Sequence, residues 1–236
     1  MSNIRLYHPN NIVENSTGLL SKDHIHYLVN VMRLKRGSNI NFFNKNGEWE
    51  SEIIYLDKDR VEVKYLKKVK NSKEKIEIEL AICLVKKSAM ELIIQKATEL
   101  GVNKIIPIIS KRTEVKDLNI DRANKIAIEA IEQSNQLTPP EICQITKLDD
   151  FLSKIDPSKN LFFADINSKS KLSLSNKNFK KNVILVGPEG DFSLEERNQI
   201  LSKKNTIPIS LSENILRTDT AVISAISLVN FKVSDH

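Results

Sequence analysis

The sequence predicts an α/β protein with a parallel sheet, preceded by a smaller β-rich domain. Strand-like and helix-like segments alternate from residue 76 onwards, which is the pattern of a sheet whose strands are joined by covering helices. The strand-like segments there are apolar throughout, as expected for strands buried on both faces. Residues 38–69 instead alternate apolar and polar positions, which predicts a sheet with one exposed face. The polar stretch NSKEK at residues 71–75 separates the two patterns, so we predict domains at residues 1–72 and 73–236.

The first domain is predicted to contain a short helix and a β-meander. Ser21 can cap a helix through HIHYLVNVMR, in which the apolar residues from Ile25 to Met32 share one face. Residues 38–69 then form consecutive strands, with the first turn at residues 44–47 (NKNG). A compact, mostly β module follows from these signals.

The second domain is predicted to begin with a strand at residues 76–85 (IEIELAICLV). Ser88 and Glu91 have the spacing of a capping box, which predicts a helix that starts there, runs to Leu100 and stops at Gly101. The remaining elements continue the alternation, with strands at 104–110, 141–145, 161–166, 182–186 and 206–211 and helices at 121–136, 148–155, from Ser193 and at 218–231.

Composition sets limits on compartment and partners. The chain carries 36 Lys+Arg against 30 Asp+Glu, and its net charge of +6 is compatible both with a nucleic-acid partner and with simple solubility. Cys83 and Cys143 lie in apolar surroundings, which favours buried thiols over a disulfide or a metal site. The chain has no signal-type leader and no apolar run long enough to span a membrane. We therefore expect a cytoplasmic protein without a metal or a membrane association.

Ligands of parallel sheets usually bind in loops beyond the carboxyl ends of the strands, and two such loops stand out. The strand VILV runs into residues 187–192 (GPEGDF), where two of the six glycines fall within four residues. Ser193 and Glu196 then have capping-box spacing at a helix start. The loop is neither a GxGxxG fingerprint nor a phosphate-binding P-loop, and an ordinary strand-to-helix turn would also account for it.

The second loop is residues 211–221 (LSENILRTDTA), between a strand and the last helix. Arg217 directly precedes the residues that can cap that helix, where a cation opposes the helix dipole unless it has an anionic partner. A salt bridge to Glu189 or Glu213 explains this arginine as well as a substrate phosphate does.

Together, these two loops resemble the RsmE family, the 16S ribosomal RNA uridine N3-methyltransferases of the SPOUT superfamily. Asp191, Ser212 and Asp219 depart from the residues that the family usually has. Further similarity extends over the chain, at Arg5 and Tyr7, HYLVNVMRLKRG with Arg33 and Gly37, KATELGV at 96–102, SKRTEVK at 110–116 and EAIEQSNQ at 129–136, where Gln136 replaces an arginine.

The resemblance implies an amino-terminal PUA-like β-barrel that binds RNA and a carboxy-terminal SPOUT-type parallel sheet containing a deep trefoil knot. It also implies a homodimer that uses S-adenosylmethionine and no metal, with the 16S rRNA of the 30S subunit as its partner. The cofactor-binding residues that it implies are Ala164, Gly187, Pro188, Glu189, Gly190, Leu211, Asn214, Ile215 and Leu216.

Transfer to a uracil nitrogen requires loss of the N3 proton and stabilisation of the resulting charge. We predict Arg217 as the first candidate for the stabilising cation and Arg112 as the second. Glu132 or Asp219 could accept the proton, although a helix-surface or capping role explains either carboxylate equally well. In the first domain, the predicted RNA contacts are Arg5, His26 and Arg33.

Two other functions remain open. A SPOUT methyltransferase acting on another RNA, at a ribose or base of transfer or ribosomal RNA, would have the same cofactor loops. A non-catalytic RNA-binding factor of the same fold would show no thermal stabilisation by S-adenosylmethionine. A nucleotide-dependent dehydrogenase or ATPase is disfavoured because neither phosphate-binding motif is present.

Overall fold

The computed structural model describes residues 4–72, 76–168 and 180–234. The chain divides into two compact units, each with its own hydrophobic core. The first unit is Met1–Glu74 together with Ile131–Thr138, and the second is Lys75–Ala130 together with Pro139–His236.

The first unit is built on a five-stranded sheet, in the order β1-β3-β4-β5-β2. Its strands are β1 (Arg5–Tyr7), β2 (Thr17–Leu19), β3 (Asn39–Asn44), β4 (Gly47–Leu56) and β5 (Val61–Asn71). Strands β3, β4 and β5 pair antiparallel in succession, which confirms the meander that the alternating pattern predicted. Strand β1 is parallel to β3, a pairing that its three residues did not signal.

The helix predicted after Ser21 is α1 (Lys22–His26), which continues as one π-helical turn (Tyr27–Val31). Leu28 is fully buried, whereas Met32, predicted for the same face, is 39% exposed. A π-helical turn is wider than an α-helical one, so residues after it no longer keep the 3.6-residue spacing. The prediction that Met32 belongs to the buried face was therefore wrong.

The second unit is built on a seven-stranded sheet in the order β12-β10-β11-β6-β7-β8, with β9 also paired to β7. Every pairing in this sheet is parallel, as the apolar strand runs predicted. The strands are β6 (Glu77–Cys83), β7 (Lys104–Ile109), β8 (Glu141–Ile142), β9 (Thr146–Lys147), β10 (Asn160–Ala164), β11 (Lys181–Val186) and β12 (Thr206–Ile209). The helices are α2 (Lys87–Glu99), α3 (Ile120–Gln133), α4 (Leu148–Lys154), α5 (Leu194–Leu201) and α6 (Thr218–Ser234).

Helices cover both faces of this sheet, and the alternation of strand side chains shows it. In β6, Leu80 and Ile82 pack into a cluster with residues of α2, α3 and α6. Ala81 and Cys83 pack into another cluster, with residues of α4 and α5. Because successive strand side chains point to opposite faces, the two clusters lie on opposite sides of the sheet.

The start of α2 differs from the prediction. The helix begins at Lys87. Lys86 occupies the N-cap position with a non-helical backbone, and its side chain forms no capping hydrogen bond. Ser88 therefore lies inside the first turn and cannot act as the capping residue, so the predicted Ser88–Glu91 capping box was wrong. The predicted stop was right, because Gly101 adopts a positive φ of +85° directly after the helix.

None of the helices in the described part of the chain combines the length and apolar character that a membrane crossing requires. Cys83 is buried and Cys143 partly buried, and both are free thiols. Burial raises the pKa of the Cys83 thiol to about 12, so it stays protonated at neutral pH.

Candidate functional site

Three neighbouring strands of the second unit end at a common cavity. Strands β12, β10 and β11 are adjacent and parallel, so the loops that follow their carboxyl ends meet at one edge of the sheet. The cavity between these loops has a volume of about 490 Å³. This lies within the usual range for small-molecule sites, about 300–1,000 Å³.

The cavity is lined by the two loops that the sequence singled out and by the end of β10. Every position predicted to contact a cofactor lies in its wall except Gly190: Ala164, Gly187, Pro188, Glu189, Leu211, Asn214, Ile215 and Leu216. Arg217 also lines it, as do the apolar side chains of Ile166 and Ile209.

Close packing determines the shape of the first loop. A Cβ atom added at Gly187 would lie 3.0 Å from the ring of Phe192, closer than side chains normally approach. Phe192 is buried and packs against Phe163 with 5.7 Å between ring centroids. Asp191 has a φ of +58°, and aspartate is one of the few residues that tolerate this left-handed conformation. This accounts for how an aspartate is accommodated at this position of the loop.

The predicted capping box at the start of α5 is confirmed. Ser193 accepts a hydrogen bond from the backbone N–H of Glu196, and the Glu196 carboxylate accepts one from the N–H of Ser193 at 2.9 Å. The same buried carboxylate accepts the backbone N–H of Lys111 at 2.7 Å. Glu196 therefore joins α5 to the loop after β7.

An ion pair between a buried carboxylate and a partly exposed arginine, which the sequence did not predict, supports the same cavity. Asp165 follows β10, lines the cavity and has a side chain only 2% exposed. Arg197 of α5 donates to both of its carboxylate oxygens, from Nε at 3.0 Å and from Nη2 at 2.8 Å. The hydrogen bond to Asp165 raises the pKa of the Arg197 guanidinium. No local signal points to this pair, because 32 residues separate its members.

The second loop presents an exposed cation. The side chain of Arg217 is 81% exposed and lies 3.7 Å from the carboxylate of Asp219. Arg217 therefore forms its ion pair with Asp219, and not with Glu189 or Glu213, the two partners that the sequence suggested. At this exposure it contributes little to stability, which leaves the guanidinium available for another anion.

A second cavity, of about 360 Å³, is lined by Arg112, Gly190 and Lys86, among other residues. Arg112 donates from Nη1 to the carbonyl oxygen of Gly190 at 3.0 Å and so ties the loop after β7 to the 187–190 loop. Lys86 lines both cavities. Sequence reasoning did not select it, because its place beside the candidate loops depends on the pairing of β6 with β11.

The two candidate bases have structural partners. The Glu132 carboxylate accepts the backbone N–H of Tyr7 at 2.9 Å within the first unit, and Glu132 does not line either cavity. Asp219 accepts the N–H of Thr220 and pairs with Arg217. These contacts favour the structural alternative for both carboxylates, most clearly for Glu132.

The three predicted RNA-binding residues lie in two different settings. Arg5 has a side chain 11% exposed, pairs with Glu48 at 3.0 Å and lies over the ring of Phe43, which favours a structural role. His26 and Arg33 are exposed, and His26 bonds only to the nearby side chain of Asn30 at 2.8 Å among the contacts of the described residues. The exposed pair is therefore the better placed for RNA.

Comparison with known proteins identifies the class. The sequence-family model described as an RNA methyltransferase domain matches residues 71–230. The family model described as an RNA methyltransferase PUA domain matches residues 20–66. The chain is thus an RNA methyltransferase with a PUA domain. It is 37% identical to ribosomal RNA small subunit methyltransferase E of Rickettsia conorii, over 95% of this chain and 94% of the relative. The chain belongs to the ribosomal RNA small subunit methyltransferase E family, RsmE.

Two further relatives extend the similarity. The namesake protein of Bacillus subtilis is 28% identical over 94% of this chain and 92% of its own length. The crystal structure of ribosomal RNA small subunit methyltransferase E from Neisseria gonorrhoeae, bound to S-adenosyl methionine, has a TM-score of 0.90 and 28% identity and covers 98% of each chain. The whole fold, with both of its parts, is therefore shared.

Proposed function

We propose that this chain methylates N3 of a specific uridine in the 16S rRNA of the small ribosomal subunit, with S-adenosylmethionine as methyl donor. The cavity at the carboxyl ends of β10, β11 and β12 is the observation that carries the proposal. It lies in a chain of the RsmE family, whose member from Neisseria gonorrhoeae is bound to S-adenosyl methionine.

The residues of the cavity fit such a donor. Apolar side chains at Ile166, Ile209 and Leu211 provide walls for an adenine ring, and the loop backbones offer N–H and C=O groups for its edge. The carboxylate of Glu189 lies in the same wall and can interact favourably with the positive charge of the donor, whereas that of Asp165 is already paired with Arg197. When bound, the donor supplies a methyl group on positively charged sulfur, which keeps the carbon–sulfur electron pair as the acceptor nitrogen bonds the methyl carbon.

Within this proposal, Arg217 is the cation that stabilises charge on the acceptor or orients its phosphate. It lines the cavity, is exposed, and has one weak ion pair. Arg112 acts by positioning, because its guanidinium holds the carbonyl oxygen of Gly190 and so the loop that closes one wall.

The proposal assigns a separate role to each domain. Residues 1–72 would bind the RNA, with His26 and Arg33 as exposed contacts, and residues 73–236 would carry out the transfer. The net charge of +6 supports an association with the phosphate backbone. We further propose a homodimer in the cytoplasm, with the trefoil knot that the family resemblance predicts.

The test is a methylation assay with purified protein, isotopically labelled S-adenosylmethionine and small ribosomal subunits that lack the modification. Nucleosides are then separated by mass spectrometry, and we expect labelled N3-methyluridine from 16S rRNA. Transfer RNA in a parallel reaction tests the second candidate, a related methyltransferase with another RNA substrate. Thermal stabilisation by the donor without any labelled nucleoside would instead contradict the proposed reaction.

A further inference from the structure

The second cavity adjoins the proposed donor site and shares part of its wall. Lys86, Pro188 and Glu189 line both cavities. Methyl transfer requires donor and acceptor atoms in near contact, about 3–3.5 Å apart. If the first cavity holds the donor, the acceptor base must therefore lie against it, and the second cavity is a concave space in that position.

The lining of the second cavity differs from that of the first in its charge. Three basic side chains lie in its wall, Lys86, Lys111 and Arg112, against two carboxylates, Glu114 and Glu189. The remaining positive charge favours an anionic or electron-rich ligand. Lys111 is engaged by an ion pair with Glu195, and Arg112 by its hydrogen bond to Gly190. Lys86 forms no ion pair with any residue that the structure describes. It is thus the basic side chain of this cavity left available for a ligand.

We infer that the second cavity receives the target pyrimidine and that Lys86 is a catalytic residue that contacts it. The inference rests on the proposed function. Loss of the N3 proton to water leaves a negative charge shared between N3 and the two ring carbonyl oxygens. The Lys86 ammonium, at the boundary of the two cavities, donates to one of these oxygens and stabilises the anion that attacks the methyl carbon.

The adjacent Lys87 provides a matched control. Both lysines are exposed and begin the same helix, but Lys87 lines neither of the two cavities. Wild type, Lys86→Ala, Lys86→Arg and Lys87→Ala would be compared in single-turnover methylation of small subunits at saturating S-adenosylmethionine, from pH 6 to pH 10. Donor affinity is measured by calorimetry, and affinity for unmodified subunits by anisotropy with S-adenosylhomocysteine present.

We expect Lys86→Ala to slow the single-turnover step about 10- to 100-fold, with donor affinity changed less than about 3-fold. The rate of Lys86→Ala should continue to rise with pH where the wild-type rate has already levelled off. Without the ammonium group the uracil anion is less stable, so a higher pH is needed to remove the N3 proton. Lys86→Arg should restore most of the rate, and Lys87→Ala should match wild type.

Two results would overturn the inference. One is an equal rate and pH profile for Lys86→Ala and Lys87→Ala, and the other is a loss of donor binding in Lys86→Ala that explains the whole defect. Absence of labelled N3-methyluridine with the wild-type protein is a separate outcome, because it contradicts the proposed function and not the role of Lys86 alone.

Discussion

At the residue scale, the side chains around the cavity have two different roles. Asp165 and Glu196 are buried, and their carboxylates are saturated by Arg197 and by backbone N–H groups. Such groups hold the loops in place, because a buried carboxylate without partners would be strongly unfavourable. Arg217 and Lys86 are exposed and lightly engaged, and they are the side chains that remain able to meet a ligand.

We expect Arg217→Ala to reduce methyl transfer about 100-fold or more, because it removes a cation from the cavity wall. Stability should change by less than about 0.5 kcal/mol, since the side chain is exposed and weakly paired. Steady-state methylation and thermal unfolding, measured on the same preparation, test both parts. Arg122→Ala, an exposed arginine outside both cavities, is the control, and near-normal turnover in Arg217→Ala would refute the assignment.

Arg5 and Arg33 should separate stability from RNA binding. Arg5→Ala leaves the buried carboxylate of Glu48 without its cation and should lower the free energy of unfolding by about 3 kcal/mol. Arg33→Ala should leave stability unchanged and weaken binding to small subunits in a salt-dependent way. Urea unfolding and anisotropy titrations at two salt concentrations measure these effects. A destabilised Arg33 variant, or an Arg5 variant of full stability, contradicts the assignments.

At the element scale, the site depends on where strands end and how the following loops are fastened. Adjacent parallel strands place their carboxyl ends together, so loops 23 to 47 residues apart in the chain become neighbours, as Ala164, Gly187 and Leu211 do. The capping box of α5 then fixes the end of the first loop through Glu196. Loop geometry at this edge is therefore a property of the whole sheet.

Two glycines of one loop offer a matched test of its packing. Gly187→Ala places a methyl group 3.0 Å from the buried ring of Phe192, so the ring or the loop must shift. We expect a loss of about 1–3 kcal/mol in stability and weaker donor binding. At Gly190 the added carbon would meet Arg112 at an ordinary 3.7 Å, and Gly190→Ala should be nearly neutral. Thermal unfolding measures the stability of both variants and calorimetric titration measures their donor binding, and equal effects of the two substitutions would contradict this account of the loop.

At the scale of the whole molecule, the two units have separate cores, and shifted pKa values in the first unit predict that its stability depends on pH. Burial lowers the pKa of His8 and of His24, the latter also through repulsion from His8, and both lie in the first unit. Burial alone would raise the pKa of Glu48, but hydrogen bonds from Arg5 and Asn41 outweigh it and lower the pKa. These shifts make the unfolded state bind more protons than the folded one as the pH falls.

We therefore expect the first unit to lose stability below about pH 6.5, where unfolded histidines take up protons, and further below about pH 4.5, where Glu48 contributes. Trp49 is the single tryptophan of the chain and is buried in this unit, so its fluorescence reports unfolding there. Urea titrations from about pH 7.5 to about pH 3.5 measure both contributions. In His24→Ala the slope between pH 7 and pH 5 should be shallower, and an unchanged slope would contradict the role of His24.

Much of the fold and part of the site follow from the sequence alone. Periodicity indicated the meander of the first unit, the parallel sheet of the second and most helices, because a side chain's burial repeats with the local geometry of its own element. The two loops were recognised from local signals: the glycines and the capping box of the first loop, and in the second loop Arg217, a cation beside the start of a helix. The family resemblance linked them to a methyl donor.

Other features were decided only by the tertiary structure. The pairing of β1 with β3, the ion pair between Asp165 and Arg197 and the place of Lys86 between two cavities each join residues far apart in the chain. The π-helical turn after α1 and the early start of α2 also escaped the sequence patterns. Local sequence determines whether a segment forms a helix, a strand or a turn. Strand order and long-range packing determine which side chains come into contact, and periodicity within single elements cannot predict those contacts.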